Sequence, residues 1–511
     1  MKINQRKTGF VLSTLQMIIS TLVGMFFTPF LIRSLGDIEY GLFQLMSTTV
    51  GYLAILDMGM TSTVTQFILK GQSKEETEIT EASVVKVSLV FYSIVSLFVI
   101  VLFSILTVNL AAVYPATINS ANIAHARKLF AILSATLILT LMNHTFTGIE
   151  IAYEKYTVAK GIEIIRHVLR IAVLLVLFQW KKDAELIVIT DFILALAFLC
   201  FDIFYFKYKI RIDLKSGKIN KTVFRRIFTF SVFVLFQLVV NKINNGVDQL
   251  ILGRYVDLKM VGIYSVALTF ASMYQSIGGL LPGVSIPRFT RLVTTHAEKE
   301  EVTETCARYG RFQYMILMLF VTGIILYGEQ FFSCWTKEYN ATYLWGITLL
   351  IMLPQIFEFI ETPIFYVMKA KEKQAGRSII LVVMAVINVI ISLILIKYDP
   401  VYGCAIGTCI SFTLGNCILT NIYYHRVVQV SIPRFYLILV KKLMPATLAV
   451  AAAGILINQI PGSGWVNLII KCVVYTAVYL LGIYLIGTDR TEKQMIRSIL
   501  HLPGRADSKD N

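Results

Sequence analysis

Apolar stretches of about twenty residues recur from end to end of the chain, separated by short polar segments. Each is long enough to cross the roughly 30 Å of hydrocarbon in a bilayer as one α-helix. The pattern predicts spans near 10–32, 42–68, 85–111, 128–149, 157–179, 185–206, 224–248, 258–282, 312–328, 341–365, 377–397, 402–424, 440–459 and 465–487. The fifth is the least apolar, because Glu163, Arg166, His167 and Arg170 interrupt it. The connecting segments are too short to fold as domains, the longest lying near 207–223 and 284–311. The expected fold class is therefore an all-α integral membrane protein of about 14 helices.

Composition agrees. Of 511 residues, 56% are hydrophobic and only 15% charged, with a mean hydropathy of +0.71. A soluble domain carries about 25% charged residues. The net charge of +16 would suggest nucleic acid in a soluble chain, but loops on the cytoplasmic side of membrane proteins collect Lys and Arg. With a cytoplasmic N-terminus, 35 of the 47 Lys and Arg fall inside, 8 outside and 4 within spans. That bias predicts an even number of crossings with both termini cytoplasmic, and no nucleic-acid partner. The first apolar run exceeds a signal-peptide core and lacks a small-residue cleavage site, so it is expected to stay as the first helix. None of the seven cysteines forms a C-x-x-C pair, so neither a zinc set nor a disulfide framework is expected. The chain also lacks H-E-x-x-H and G-x-S-x-G, and at Gly217-Lys218 a Walker A loop fails because Ile212 stands where its first glycine belongs.

The polar interruptions repeat. "LGDIEYGLFQL" follows the first span and "VDLKMVGIYSV" the seventh, and an offset of 221 places Gly41 on Gly262 and Gln16 on Gln237. Both copies follow an odd-numbered span, which indicates a parallel repeat of six helices, an architecture known among transporters. The expected organisation is a first six-helix lobe (1–206), a basic linker (207–223), a second lobe (224–424), two trailing helices (425–487) and a tail (488–511). Each motif is read as the outward-facing turn after the first helix of its lobe, with Arg33 and Arg254 at the membrane edge, where charge costs little; the alternative is that both also face the mouth of a central cavity, as candidates for a substrate path.

Polar groups inside spans are costly and mark cavities or helix contacts. On the seventh span, taking 100° per residue, Asn241, Asn244 and Asp248 lie within about 40° of Gln237. Lys242 points off this stripe. Gln16 and Ser20 form a matching face on the first span. Two such faces suggest a hydrophilic path between lobes; the alternative is interhelical hydrogen bonding alone. Arg166 and Arg170 share one face of the fifth span, where two guanidinium groups can grip phosphate, or snorkel to headgroups. Asp57, Asp191, Glu358 and Glu361 are candidates for binding Na⁺ or a proton that drives movement, although a buried acid can equally be paired or capping. Pro354 and Pro363 flank the last two, and "GGLLPGVSIP" in the eighth span predicts a bend.

"LGDIEYGLFQL", followed by "LAILDMGM" and later "DQLILGRYVDLKMVGIYSVA", resembles the polysaccharide transporter family. This is the oligosaccharide flippase branch of the multidrug/oligosaccharidyl-lipid/polysaccharide superfamily. Met58 and Met60 stand where leucines are common in it. The resemblance implies two six-helix lobes with two trailing helices, and alternating access that moves undecaprenyl pyrophosphate-linked oligosaccharide across the bacterial plasma membrane. It also implies no cofactor, with coupling to Na⁺, H⁺ or the membrane potential. The implied partners are the lipid-linked glycan, membrane lipids and other polysaccharide assembly proteins. Competing readings are a multidrug/toxin extrusion antiporter, a lipid II flippase, and a membrane glycan polymerase or ligase. An enzyme of the last kind usually carries a large outward loop, which is not expected here.

Overall fold

A computed structural model describes residues 5–73, 80–213, 217, 221–279, 282–489 and 492–494. Among these residues the chain is helical throughout and contains no strand. The helices are α1 (Gln5–Leu35), α2 (Asp37–Leu53), α3 (Met60–Ser73), α4 (Glu81–Val108), α5 (Leu110–Val113), α6 (Ile123–Ala152), α7 (Tyr156–Leu177), α8 (Ala184–Tyr205), α9 (Lys221–Tyr255) and α10 (Leu258–Gly278). They continue as α11 (Pro282–Thr294), α12 (Lys299–Trp335), α13 (Ala341–Met352), α14 (Gln355–Ile360), α15 (Thr362–Ala370), α16 (Ala375–Leu395), α17 (Pro400–Phe412), α18 (Thr420–Tyr423), α19 (Ile432–Asn458) and α20 (Trp465–Gly482). Eleven of the described helical segments are long and apolar enough to cross a membrane. The predicted spans outside that set are the second, fifth and seventh, each interrupted by polar residues.

Where the second span was expected as one helix, the chain breaks. A short 3₁₀ turn, Ala54–Asp57, separates α2 from α3, with Met58 at φ 53° and Gly59 at φ 65°. The left-handed conformation ends a right-handed helix, and glycine adopts it without steric penalty. Prolines act as the sequence suggests. The tenth predicted span divides into α13, α14 and α15, with Pro354 before α14 and Pro363 in the first turn of α15. The bend expected in the eighth span falls where α10 stops at Gly278 and α11 starts at Pro282, residues 280 and 281 lying outside the described set.

The chain forms two compact units, Met1–Phe270 with Leu381–Thr408, and Ala271–Ile380 with Cys409–Asn511. Within the first unit the two copies of the repeated motif are helix junctions, α1 to α2 at Gly36 and α9 to α10 at Val256–Asp257. They also meet each other. A Cβ on Gly41 would stand 1.9 Å from the Leu258 carbonyl oxygen, so only glycine permits this approach. Beside it Lys259 Nζ lies 3.0 Å from Asp37 Oδ2. The charges that interrupt the apolar pattern therefore hold one motif against the other.

In the second unit α12 packs on α19 and α20. Tyr327 donates to the Gly454 carbonyl at 2.9 Å, and Tyr475 to Thr322 Oγ1 at 2.6 Å. Arg311, only 2% exposed, makes a two-point contact with Glu492, Nε to Oε1 at 2.6 Å and Nη2 to Oε2 at 2.9 Å. Its remaining donors reach the Ile438 and Gly487 carbonyls at 3.0 and 2.8 Å. One guanidinium thus ties α12 to α19 and to the end of the last helical segment.

Both kinds of contact can be tested by substitution. Removing one partner of a buried, hydrogen-bonded ion pair costs about 3–5 kcal/mol, so Arg311→Ala is expected to lower the melting temperature of purified protein strongly. An unchanged melting curve would refute that assignment. Gly41→Ala should sharply reduce folded, membrane-inserted protein, measured by detergent-extracted monodisperse yield. Gly161→Ala, where no atom lies within 4 Å of the added Cβ, should not.

Candidate functional site

The polar stripe of α9 runs into a buried cage of oxygens. Asp248, 3% exposed, accepts from the Tyr264 hydroxyl at 2.5 Å and from Thr408 Oγ1 at 2.6 Å through Oδ2, and from Ser392 Oγ at 3.0 Å through Oδ1. The Asn388 carbonyl oxygen closes the group, 3.1 Å from Ser392 Oγ and 3.4 Å from Thr408 Oγ1. Helices α9, α10, α16 and α17 each contribute. Asn244, one turn before Asp248, donates to the Leu381 carbonyl at 3.1 Å, so this part of the stripe faces α16. No cation forms a salt bridge with Asp248 among the described residues, so its carboxyl group sits among side-chain oxygens alone. Such a set suits a small hard cation or a proton.

The other candidates fall into separate places. Asn241 is half-buried on α9, and the Gln237 side chain lies outside the described residues. On α1, Gln16 is half-buried, and Ser20 Oγ is 3.4 Å from His167 Nε2, which joins α1 to α7. Arg33 is exposed at the end of α1. Arg254 caps the end of the α4–α5 segment, its Nη1 donating to the Val113 carbonyl at 2.8 Å and the Ala112 carbonyl at 3.3 Å.

The two arginines of α7 do not form a shared phosphate grip. Arg170 is spent on Asp191 of α8, Nε to Oδ1 at 2.5 Å and Nη2 to Oδ2 at 3.0 Å. Arg166 lies over the Phe198 ring at 5.2 Å and faces Asp202. Lys242, off the stripe, has no salt bridge among the described residues, and burial is the influence on it. It sits over the Tyr52 ring at 5.5 Å, with Nζ 3.2 Å from where a Gly51 Cβ would be.

The acids expected to couple ions are all engaged. Asp57, at the α2–α3 break, accepts from Tyr92 at 2.6 Å and lies 2.7 Å from His144 Nδ1. Asp191 holds Arg170. Glu358 meets Arg377 at 3.0 Å and Asn416 at 3.3 Å. Glu361, 2% exposed, accepts from Asn421 at 2.8 Å and from the Tyr436 hydroxyl.

Glu39, His125 and Asp183 bring three possible metal-ligand atoms within 4.8 Å of one another. His125 spans Glu39 at 2.6 Å and Glu185 at 3.2 Å, while Lys128 holds Glu185 at 2.5 Å and Lys181 holds Asp183 at 2.7 Å. Partial burial would raise the Asp183 carboxyl, but Lys181 and the Glu185 amide hold it below its usual range. The lysines compete with a metal for these carboxylates, and the group serves as an electrostatic tie between helix ends.

Sequence reasoning missed Tyr264, Asn388, Ser392 and Thr408. A signal existed for two of them: Asn388 and Ser392 are spaced i, i+4 in the otherwise apolar "LVVMAVINVIISLIL", and so share a helix face.

Over nearly its whole length the chain is similar to known membrane proteins. The uncharacterized membrane protein EpsK of Bacillus subtilis (strain 168) is 20% identical over 494 residues, 94% of this chain and 95% of that protein. Among solved structures, the lipid II flippase MurJ in an inward closed conformation superposes with a TM-score of 0.70 at 15% identity, covering 97% of this chain and 99% of that one. An inward-facing multidrug resistance MATE family transporter of the MOP superfamily gives 0.66 at 11% identity, covering 81% and 94%. These likenesses establish the fold. The family model for polysaccharide biosynthesis protein matches residues 6–293, more than half of the chain. This multi-pass membrane protein therefore belongs to the polysaccharide biosynthesis protein family.

Proposed function

We propose that the protein is a flippase that moves a lipid-linked oligosaccharide, of the undecaprenyl pyrophosphate type, from the cytoplasmic to the outer leaflet of a bacterial plasma membrane. The observation that carries this reading is the family match over residues 6–293. The fold shared with a lipid II flippase supports it. Both termini lie in the cytoplasm on the strength of the Lys and Arg bias. The role is transport, not bond making.

Two features of the chain give this role a mechanism. A diphosphate head group needs a cation whose charge is not already spent, and Lys242 meets that need better than Arg170. Movement of a charged head group needs a driving force, and the Asp248 cage supplies a place for a coupling cation. The oxygens of α9, α10, α16 and α17 are gathered around Asp248, so a cation bound there would hold these four helices together; without it, the carboxyl group has only hydroxyl donors. A ligand that binds one arrangement more tightly shifts the population towards it.

In the native cell, deletion of the gene should leave lipid-linked glycan on the cytoplasmic leaflet, and re-expression should relieve it. Lys242→Glu should fail to complement and Lys242→Arg should succeed, at equal membrane levels of protein. Complementation by Lys242→Glu would remove Lys242 from the head-group path. For the cage, Na⁺ should raise the melting temperature of the wild type above that in choline at equal ionic strength. A ligand present at 100 times its dissociation constant stabilises by about 2.7 kcal/mol. Asp248→Asn should lose the Na⁺-specific part. An equal response in both proteins would contradict cation binding there.

A further inference from the structure

A second group of acids, on α6 and α8, takes no part in the mechanism above. Glu150 is 1% exposed, and neither of its carboxyl oxygens has a hydrogen-bond partner. Asp202, also 1% exposed, faces it from α8 and has one oxygen without a partner. Beside Asp202 the Asn143 carbonyl oxygen and Arg166 Nε are buried and equally without partners. Native proteins leave few such atoms, and those they keep mark strain, chemistry or a bound water or ion.

The two acids are not alike. Asn143 hydrogen-bonds Asp202, and the Arg166 guanidinium faces it, so Asp202 has what a carboxylate needs. Glu150 has neither. A carboxylate with no hydrogen bond and no counter-charge, buried in an apolar bundle, is far less stable than the neutral acid. Among the described residues, no other element packed on α6 compensates it. Lys70 of α3 lies over the Phe67 ring, Glu81 of α4 accepts from Tyr153 at 2.5 Å, and Asp57 is held by His144 and Tyr92. Tyr205 of α8 is within electrostatic reach, but it adds no positive charge.

We infer that Glu150 and Asp202 form a proton-exchange site: Glu150 carries a proton, and Asp202 carries a negative charge balanced by Arg166. The ligand is a proton taken from and returned to water. Glu150 lies two residues from the end of α6 and Asp202 three from the end of α8. The charge bias of the loops puts both ends near the cytoplasm. Loss of the proton leaves a carboxylate without a counter-charge facing the charged Asp202, which favours a state in which water enters between these helix ends. The site is separate from the Asp248 cage and does not depend on what the protein carries.

Infrared difference spectroscopy of the full-length protein in lipid nanodiscs tests this, with the proton as the probe. The wild type should show the carbonyl stretch of a protonated carboxylic acid at neutral pH, lost reversibly as pH is raised while the helical content holds. Glu150→Gln should lack that band. If this variant does not fold, Asp202→Asn provides the second reading: with the neighbouring charge gone, the band should disappear at lower pH than in the wild type. A wild-type spectrum without a protonated carboxyl, a band retained in Glu150→Gln, or one unmoved in Asp202→Asn would overturn the assignment.

Discussion

An ionised side chain inside an apolar helix bundle is tolerated only with a partner, and the chain is organised around that constraint. Arg170 with Asp191 joins α7 to α8, Arg377 with Glu358 joins α16 to α14, and Arg311 with Glu492 fastens α12 to the end of the last helical segment. Each pair is also a cross-link between helices. Hydrocarbon supplies no hydrophobic force to hold helices together, so packing and polar contacts must do it. Against this background the groups that are not neutralised in the same way stand out. Asp248 has only hydroxyl and amide neighbours, Glu150 has none, and Lys242 has an aromatic ring. The proposed cation, proton and phosphate sites rest on these groups.

Close approach of backbones supplies the second constraint. The Gly41 contact with Leu258 and the Gly253 position against Leu45 let α2 lie directly on α9 and the start of α10. Thr117 adds a hydrogen bond to the Gly253 carbonyl at 2.8 Å, and Thr48 one to Gln249 at 2.7 Å. The paired motifs thus bring the seventh predicted span against the second, which sets the position of Lys242 beside Gly51 and Tyr52.

Helix identity was legible from hydropathy because a membrane span is a one-dimensional property of the sequence. The helix breaks were legible where proline or glycine marks them. The break after Asp57 was not, since the only local signs were one acid and one glycine in an apolar run. The α9 stripe drew attention to Asp248, because polar residues are costly in a span and four at helical spacing share one face. Its surroundings were not legible: Tyr264, Asn388, Ser392 and Thr408 come from three other helices, and nothing local in the sequence says which helices are neighbours. Arg166 and Arg170 looked like a pair because they share a face, but their partners Asp202 and Asp191 lie on α8. Lys242 points off the stripe, yet it is half-buried with an aromatic ring as its neighbour and no salt bridge among the described residues. Facing alone does not reveal which charges are already neutralised.

Gradient-driven flipping is tested most directly by translocation in proteoliposomes holding only this protein, with a fluorescent polyprenyl-diphosphate oligosaccharide as substrate. Accessibility of the glycan to an external lectin would be followed after a Na⁺ or proton gradient is imposed. A flippase should give protein-dependent movement that an imposed gradient accelerates. Movement no faster than in protein-free vesicles, under either gradient and in both protein orientations, would contradict that function.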